Sequence, residues 1–166
     1  MDGDALRQVQ APLKERYRSE PEAAVITLRA EGSLAAGEVA CSVQTGRALV
    51  EAGLHPATGG DGSQACSGDM LLQALVACAG VTLRSVATNR GIDVTGNVRA
   101  EGDLDFRGTL GVDREAPVGF RSIRLSFDLE SEAAPEDLDA LIATTERYCV
   151  VLQTLLRSPD LSVARD

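Results

Sequence analysis

The sequence has no tryptophan, and aromatic residues make up only 3% of it. Its core must therefore be filled by Leu, Val, Ile and Ala rather than by large rings. Histidine occurs once, at His55, which excludes a metal site built on two histidines. The cysteines, Cys41, Cys66, Cys78 and Cys149, include no C-x-x-C pair, so neither a zinc knuckle nor a thioredoxin-like motif is present and no metal is expected. Basic runs are also missing. With 16 Lys plus Arg against 25 Asp plus Glu the net charge is -9, which repels a phosphate backbone and argues against a nucleic-acid partner. Lys14 is the only lysine, a bias of GC-rich genomes.

No targeting or membrane segment is expected. The chain opens on Met1-Asp2-Gly3-Asp4, acidic where a secretory signal is basic, and no continuous apolar stretch follows, so a cytoplasmic location is expected. The longest apolar run, Met70 to Leu83, is interrupted by Gln73 and Thr82 and falls short of the roughly 20 residues that cross a bilayer, so it reads as a core helix.

The 166 residues suit one domain. Residues 1–20 read as an N-terminal arm or short helices, with Leu6, Val9, Leu13 and Tyr17 at helical spacing around Pro12. Residues 21–166 read as a single domain. Ala24, Ile26 and Leu28, and then Val39, Cys41 and Val43, alternate with their neighbours as strands do, and Gly46 turns the chain into a third strand around 48–51. The glycine-rich stretch 53–68 reads as a long ordered loop that sustains neither helix nor strand.

A helix is expected from Ser67, placed to cap it, to about Arg90, with Asp69 in its first turn and Gly91 as its stop. Its middle is apolar on every side, which predicts burial all round. So small a chain can hardly enclose such a helix, and a symmetric dimer would. Val98, Ala100, Gly102, Leu104 and Phe106 alternate with charged residues, as do Ile123, Leu125, Phe127 and Leu129, so two half-buried antiparallel strands follow. Pro135 opens a helix carrying Leu138, Leu141, Thr145, Cys149 and Leu152 on one side, and a short final strand is read at Leu161–Ala164. The layout is α+β: antiparallel strands packed around a long buried central helix.

Chemistry centres on the cysteines. Cys41 faces inward on a strand and reads as an inert core thiol. Cys66 precedes the helix, where backbone dipoles and solvent could act on it, but reads as a spectator. Cys78 sits mid-helix among Ala74, Leu75, Val81 and Thr82 and has no cation on its own helix, so its pKa should rise unless another segment supplies positive charge. Cys149 is the inward cysteine of the second main helix, and the two helices could bring the pair together. His55 reads as a hydrogen-bonding loop residue. Gly60-Asp-Gly-Ser-Gln-Ala65 formally matches a dinucleotide fingerprint but lacks the parallel βαβ unit that such a site needs.

The segments GDGSQACSGDMLLQALVACAGVTL and TERYCVVLQTL resemble the two cysteine motifs of the OsmC/Ohr family, in the family's order, and the resemblance runs from about residue 21 to 164. It implies the OsmC-like fold as an intertwined homodimer with two active sites at the interface. It also implies that Cys78 is a peroxidatic cysteine attacking an organic hydroperoxide or hydrogen peroxide, that Cys149 is the resolving cysteine, and that an external dithiol restores the pair without a bound cofactor. Asp69 stands where the family motif has Glu, and Val150 where a proline usually follows the second cysteine. The connection Glu31–Gly37, where the family's activating arginine is expected, holds no cation, which leaves Arg29, Arg47 and Arg147 as candidates. Two other readings compete with a thiol peroxidase. One is a non-peroxidase protein of this fold binding a small apolar or anionic ligand, and the other is a structural partner protein using the N-terminal segment.

Overall fold

The computed structural model describes residues 2–5, 8, 11, 19, 31–34, 40–44, 49–111 and 113–165, with backbone alone for 31–34, 40–44 and 49. Most of the N-terminal arm and the strand expected at 24–29 lie outside the described residues, as does the side chain of Cys41. By packing, the chain divides into two compact units, one comprising 1–24, 74–99 and 125–166 and the other 25–73 and 100–124.

In the second unit a four-stranded sheet has the order β1-β2-β3-β4. β1 (Glu31–Leu34) pairs antiparallel with β2 (Ala40–Gln44), Leu34 opposite Cys41, and β2 pairs antiparallel with β3 (Leu49–Gly53), Val43 opposite Val50. Residues 31–34, expected in a strand connection, form β1 instead. β4 (Ala65–Cys66) lies parallel to β3, Ala52 opposite Ala65.

The glycine-rich stretch is more ordered than its composition suggests. Pro56–Thr58 forms a 3-10 turn because His55 Nδ1 accepts the Ala57 N–H at 3.0 Å and proline occupies the first helical position. Asp61 Oδ1 accepts the N–H and hydroxyl of Ser63 at 2.8 and 2.6 Å, and β4 follows.

α1 (Ser67–Arg90) begins at Ser67 itself, so Ser67 is a helical residue and Cys66 precedes the helix. Gly91 ends it in the left-handed region, at φ 68°, where a side chain would be strained. The Gly91 N–H reaches the Thr88 carbonyl at 3.2 Å and the Ile92 N–H reaches that of Ala87 at 3.0 Å, satisfying two carbonyls of the last turn.

Within the single chain, α1 is fully buried along one face. Leu75, Ala79, Leu83 and Ala87, four residues apart, form its one fully buried face, whereas Leu71 and Val81 are exposed, Val81 to 72%. Uniform Ala, Leu and Val content gives no periodicity from which to tell the faces apart. By length and composition alone α1 could cross a bilayer. Its buried face packs instead within the chain: Leu83 and Ala87 join Val94 and Leu141 in a core flanked by Phe127, Leu129 and Leu138.

β5 (Thr95–Leu104) and β6 (Phe120–Glu130) form a two-stranded sheet. Gly96 lies against Asp128 and Asp103 against Ser122, so the strands run antiparallel. The alternation read from the sequence is observed at Val98–Leu104 and Ile123–Leu129. Phe106 was assigned to the strand but starts α2 (Phe106–Thr109), because Asp105 leaves the strand and accepts the Arg107 N–H as a helix cap.

The helix that opens at Pro135 is not continuous: α3 (Pro135–Tyr148) stops at Cys149, which is extended at φ -72°, ψ 107°, and α4 (Val150–Leu156) restarts beyond it. The final strand expected at Leu161–Ala164 does not form; the residues after Leu156 are irregular, with Leu161 and Val163 exposed. Among the described residues no partner strand satisfies their backbone.

Candidate active site: the Cys78–Cys149 pair

Cys78 lies midway along α1, half-buried, and Cys149 is fully buried at the α3–α4 junction. The two thiols are close enough to shift each other's ionisation, and neither is in a disulfide. The junction supplies what α1 lacks. The N–H of Cys149 still bonds the Thr145 carbonyl at 2.9 Å, and the next intrahelical bond is from the Gln153 N–H to the Cys149 carbonyl at 2.9 Å. The N–H groups of Val150, Val151 and Leu152 therefore open α4 without intrahelical acceptors, and they act on the two sulfurs, Val150 and Val151 on Cys78, Val151 and Leu152 on Cys149.

These contacts split the pair. Burial alone would push the Cys78 thiol up, but the Val151 N–H, the Cys149 thiol, the Val150 N–H and the Thr82 side chain together hold it below the usual thiol range. The Thr82 hydroxyl has one hydrogen and gives it to the Cys78 carbonyl at 2.8 Å, which makes Thr82 the least of these influences on the sulfur. Burial pushes the Cys149 thiol up, the neighbouring Cys78 sulfur adds to this, and the N–H groups of Leu152 and Val151 oppose it only in part. Of the two, Cys78 is the more readily ionised sulfur.

The activating cation expected at Cys78 is not found among the described residues. Arg29 and Arg47 lie outside the described residues. Arg147 is exposed, with its guanidinium 5.5 Å from the centre of the Tyr148 ring. Arg84 donates to the Val94 carbonyl at 2.6 Å and Arg90 to the Thr144 hydroxyl at 2.7 Å. Among the described residues, the groups that lower Cys78 are backbone amides, a thiol and a hydroxyl, which no residue-type motif reveals. The one available signal was Val150, which unlike proline carries an N–H.

Asp69 is in the second unit, in the first turn of α1, beside a pocket of about 150 Å³ whose lining includes His55, Cys66, Leu72, Phe106 and Phe120. The His55 ring stacks on Phe106, centroids 5.0 Å apart, and its Nδ1 is taken by the Ala57 N–H, which fits the loop role read from the sequence. Among the described residues no group of three or more His, Cys, Asp or Glu is placed to hold a metal ion. A groove of about 610 Å³ opens one turn beyond Cys78, lined by Val81, Thr82, Val86, Arg90, Thr144 and Tyr148 among others.

The sequence pattern of the family described as OsmC-like protein matches residues 60–164, a span that holds both cysteines. The chain belongs to the OsmC-like family. Its fold is the OsmC-like fold, shared with an OsmC-like protein of Mycoplasma pneumoniae at TM-score 0.66 and 16% identity, over 80% of this chain and 89% of that one. An organic hydroperoxide resistance protein OsmC of Legionella pneumophila aligns at TM-score 0.57 and 17% identity, over 81% and 92%. An OsmC-like protein of unknown function from Vibrio cholerae aligns at TM-score 0.57 and 10% identity, over 78% and 94%. No curated protein matches the sequence. Within this OsmC-like chain the break at Cys149 forms with valine at position 150, so proline is not required for it.

Proposed function

We propose that the protein is a thiol peroxidase that reduces organic hydroperoxides or hydrogen peroxide. The observation that carries this reading is the asymmetric pair, one half-buried sulfur held toward the anion and one buried thiol neighbouring it. The Cys78 thiolate attacks one peroxide oxygen, the O–O bond breaks, and the other oxygen leaves as the alcohol or water after taking a proton. Cys78 is left as a sulfenic acid. The Cys149 sulfur attacks it, the hydroxyl leaves as water, and a disulfide joins the two residues. An external dithiol reduces that disulfide and is itself oxidised, so no bound cofactor is needed.

The hydroperoxide resistance named for the Legionella neighbour supports a peroxide substrate and a role in stress response. The open side of α1 supports a homodimer in which a second copy covers it. A cytoplasmic location, without nucleic acid or membrane as partner, is consistent with the acidic composition.

One observation favours the alternative, an OsmC-like protein that binds a small apolar or anionic ligand without turnover: among the described residues no guanidinium acts on Cys78. Incubation of the reduced protein with cumene hydroperoxide decides between the two. Peroxide consumption with a Cys78–Cys149 disulfide by mass spectrometry is expected, and its absence would reject the peroxidase.

A further inference from the structure

In an unbroken helix the N–H of residue 150 would bond the carbonyl of Glu146, four residues earlier. Here that carbonyl accepts a hydrogen bond from the side-chain amide of Gln153, at 2.8 Å. The Val150 N–H is thereby left without an intrahelical acceptor, and Cys149 takes the extended conformation that separates α3 from α4.

We propose that Gln153 is a positioning residue for the peroxide chemistry: by occupying the Glu146 carbonyl it keeps the helix broken and directs the Val150 N–H onto the Cys78 sulfur. This deepens the proposed function and rests on it. The effect needs no net charge and no helix dipole, only individual N–H donors turned away from their usual acceptors. The Val151 N–H, the Cys149 thiol and the Thr82 side chain are the other described groups acting on Cys78, and of these only Cys149 titrates. Residue 150 is the position at which the donor can be deleted without closing the break. Proline is favoured at the first residue of a helix, and the residue before it prefers the extended region that Cys149 already occupies.

The test measures alkylation of the Cys78 peptide by iodoacetamide as a function of pH, with mass spectrometric readout so that other thiols do not contribute. Gln153→Leu lets the Glu146 carbonyl reclaim the Val150 N–H, and Val150→Pro removes that N–H. Both are expected to raise the midpoint by about one pH unit, a roughly tenfold slower reaction below it. Val150→Ala, which keeps the N–H, should leave the midpoint in place. Should Val150→Pro fail to fold, replacing Val150 by its α-hydroxy acid deletes only the N–H and gives the same readout. Unchanged midpoints in the folded Gln153→Leu and N–H-deleted proteins would overturn the proposal. Because no peroxide is present, failure of the peroxidase reading leaves this measurement intact, and an unchanged midpoint leaves the peroxidase reading intact.

Discussion

Cys149 neighbours Cys78, and the two thiols are shifted apart: burial first and the Cys78 sulfur second push Cys149 up, whereas against burial the Val151 N–H first and the Cys149 thiol second hold Cys78 down. On the peroxidase reading, this asymmetry makes Cys78 the sulfur that attacks first. Replacing Cys149 by Ser keeps a donor of similar reach, so Cys78 should remain reactive, consume one equivalent of peroxide and stop at the sulfenic acid, trapped by dimedone and seen by mass. Cys149→Ala removes the donor and should react more slowly at neutral pH, by roughly tenfold for each unit that the Cys78 pKa rises. Absence of a Cys78–Cys149 disulfide in the natural protein after one equivalent of peroxide, with no dithiol present, would show that Cys149 is not the resolving thiol.

Val81 is 72% exposed, while Ala79, two residues before it and so on the opposite side of α1, is fully buried together with Leu75 and Leu83. In an isolated chain an exposed valine tolerates a charge with little loss of stability. Val81→Asp should therefore leave the fold intact by circular dichroism, while converting a dimer that covers this side of α1 into monomers by light scattering. A variant that remains dimeric would show that the second copy sits elsewhere.

Asp105 holds α2 in place and carries the clearest acid dependence. Its carboxylate accepts from the Arg107 side chain at 2.6 and 3.0 Å, and these bonds bring its pKa from the ordinary 3.8 down to about 2. Because the folded value is depressed, the stabilisation is present above the unfolded value and is lost as pH falls from about 4 toward about 2. The Arg107 side chain is largely solvent-accessible, so the effect is modest and screened by salt. The difference in urea midpoint between the natural protein and Asp105→Asn should shrink over that interval, and shrink less at high salt. A difference that is constant with pH would refute the pairing.

The sequence made some of this legible and hid the rest for physical reasons. Strand alternation at Val98–Leu104 and Ile123–Leu129 is a local pattern set by one buried face, so it could be read directly. Gly91 marks its helix end because only a residue without Cβ is at ease there. The break at Cys149 carries no such mark: no Gly or Pro adjoins it, and the Gln153 amide that takes the Glu146 carbonyl is an ordinary polar residue in sequence. Phe106 continued the strand's alternation, and only the Asp105 cap reverses that reading. β4 is two residues long and exists through its pairing with β3, a tertiary contact without local periodicity. The two cysteines were legible as a pair, but the amide donors that distinguish them were not, since every residue except proline carries one.

Gly96 and Gly91 both have positive φ, at 127° and 68°, yet their surroundings differ. A Cβ at Gly96 would lie 2.0 Å from the Asp128 carbonyl oxygen, a backbone atom of the neighbouring strand, whereas a Cβ at Gly91 would meet nothing within 4 Å. Gly91→Ala should therefore cost only the backbone strain, about 1–2 kcal/mol. Gly96→Ala adds a collision that β5 and β6 can relieve only by separating, and should cost about 3 kcal/mol or more. Urea denaturation of both variants checks this, with unchanged slopes showing that the same surface is exposed on unfolding. Equal losses would mean that the strands do not approach as closely at Gly96 as the structure places them.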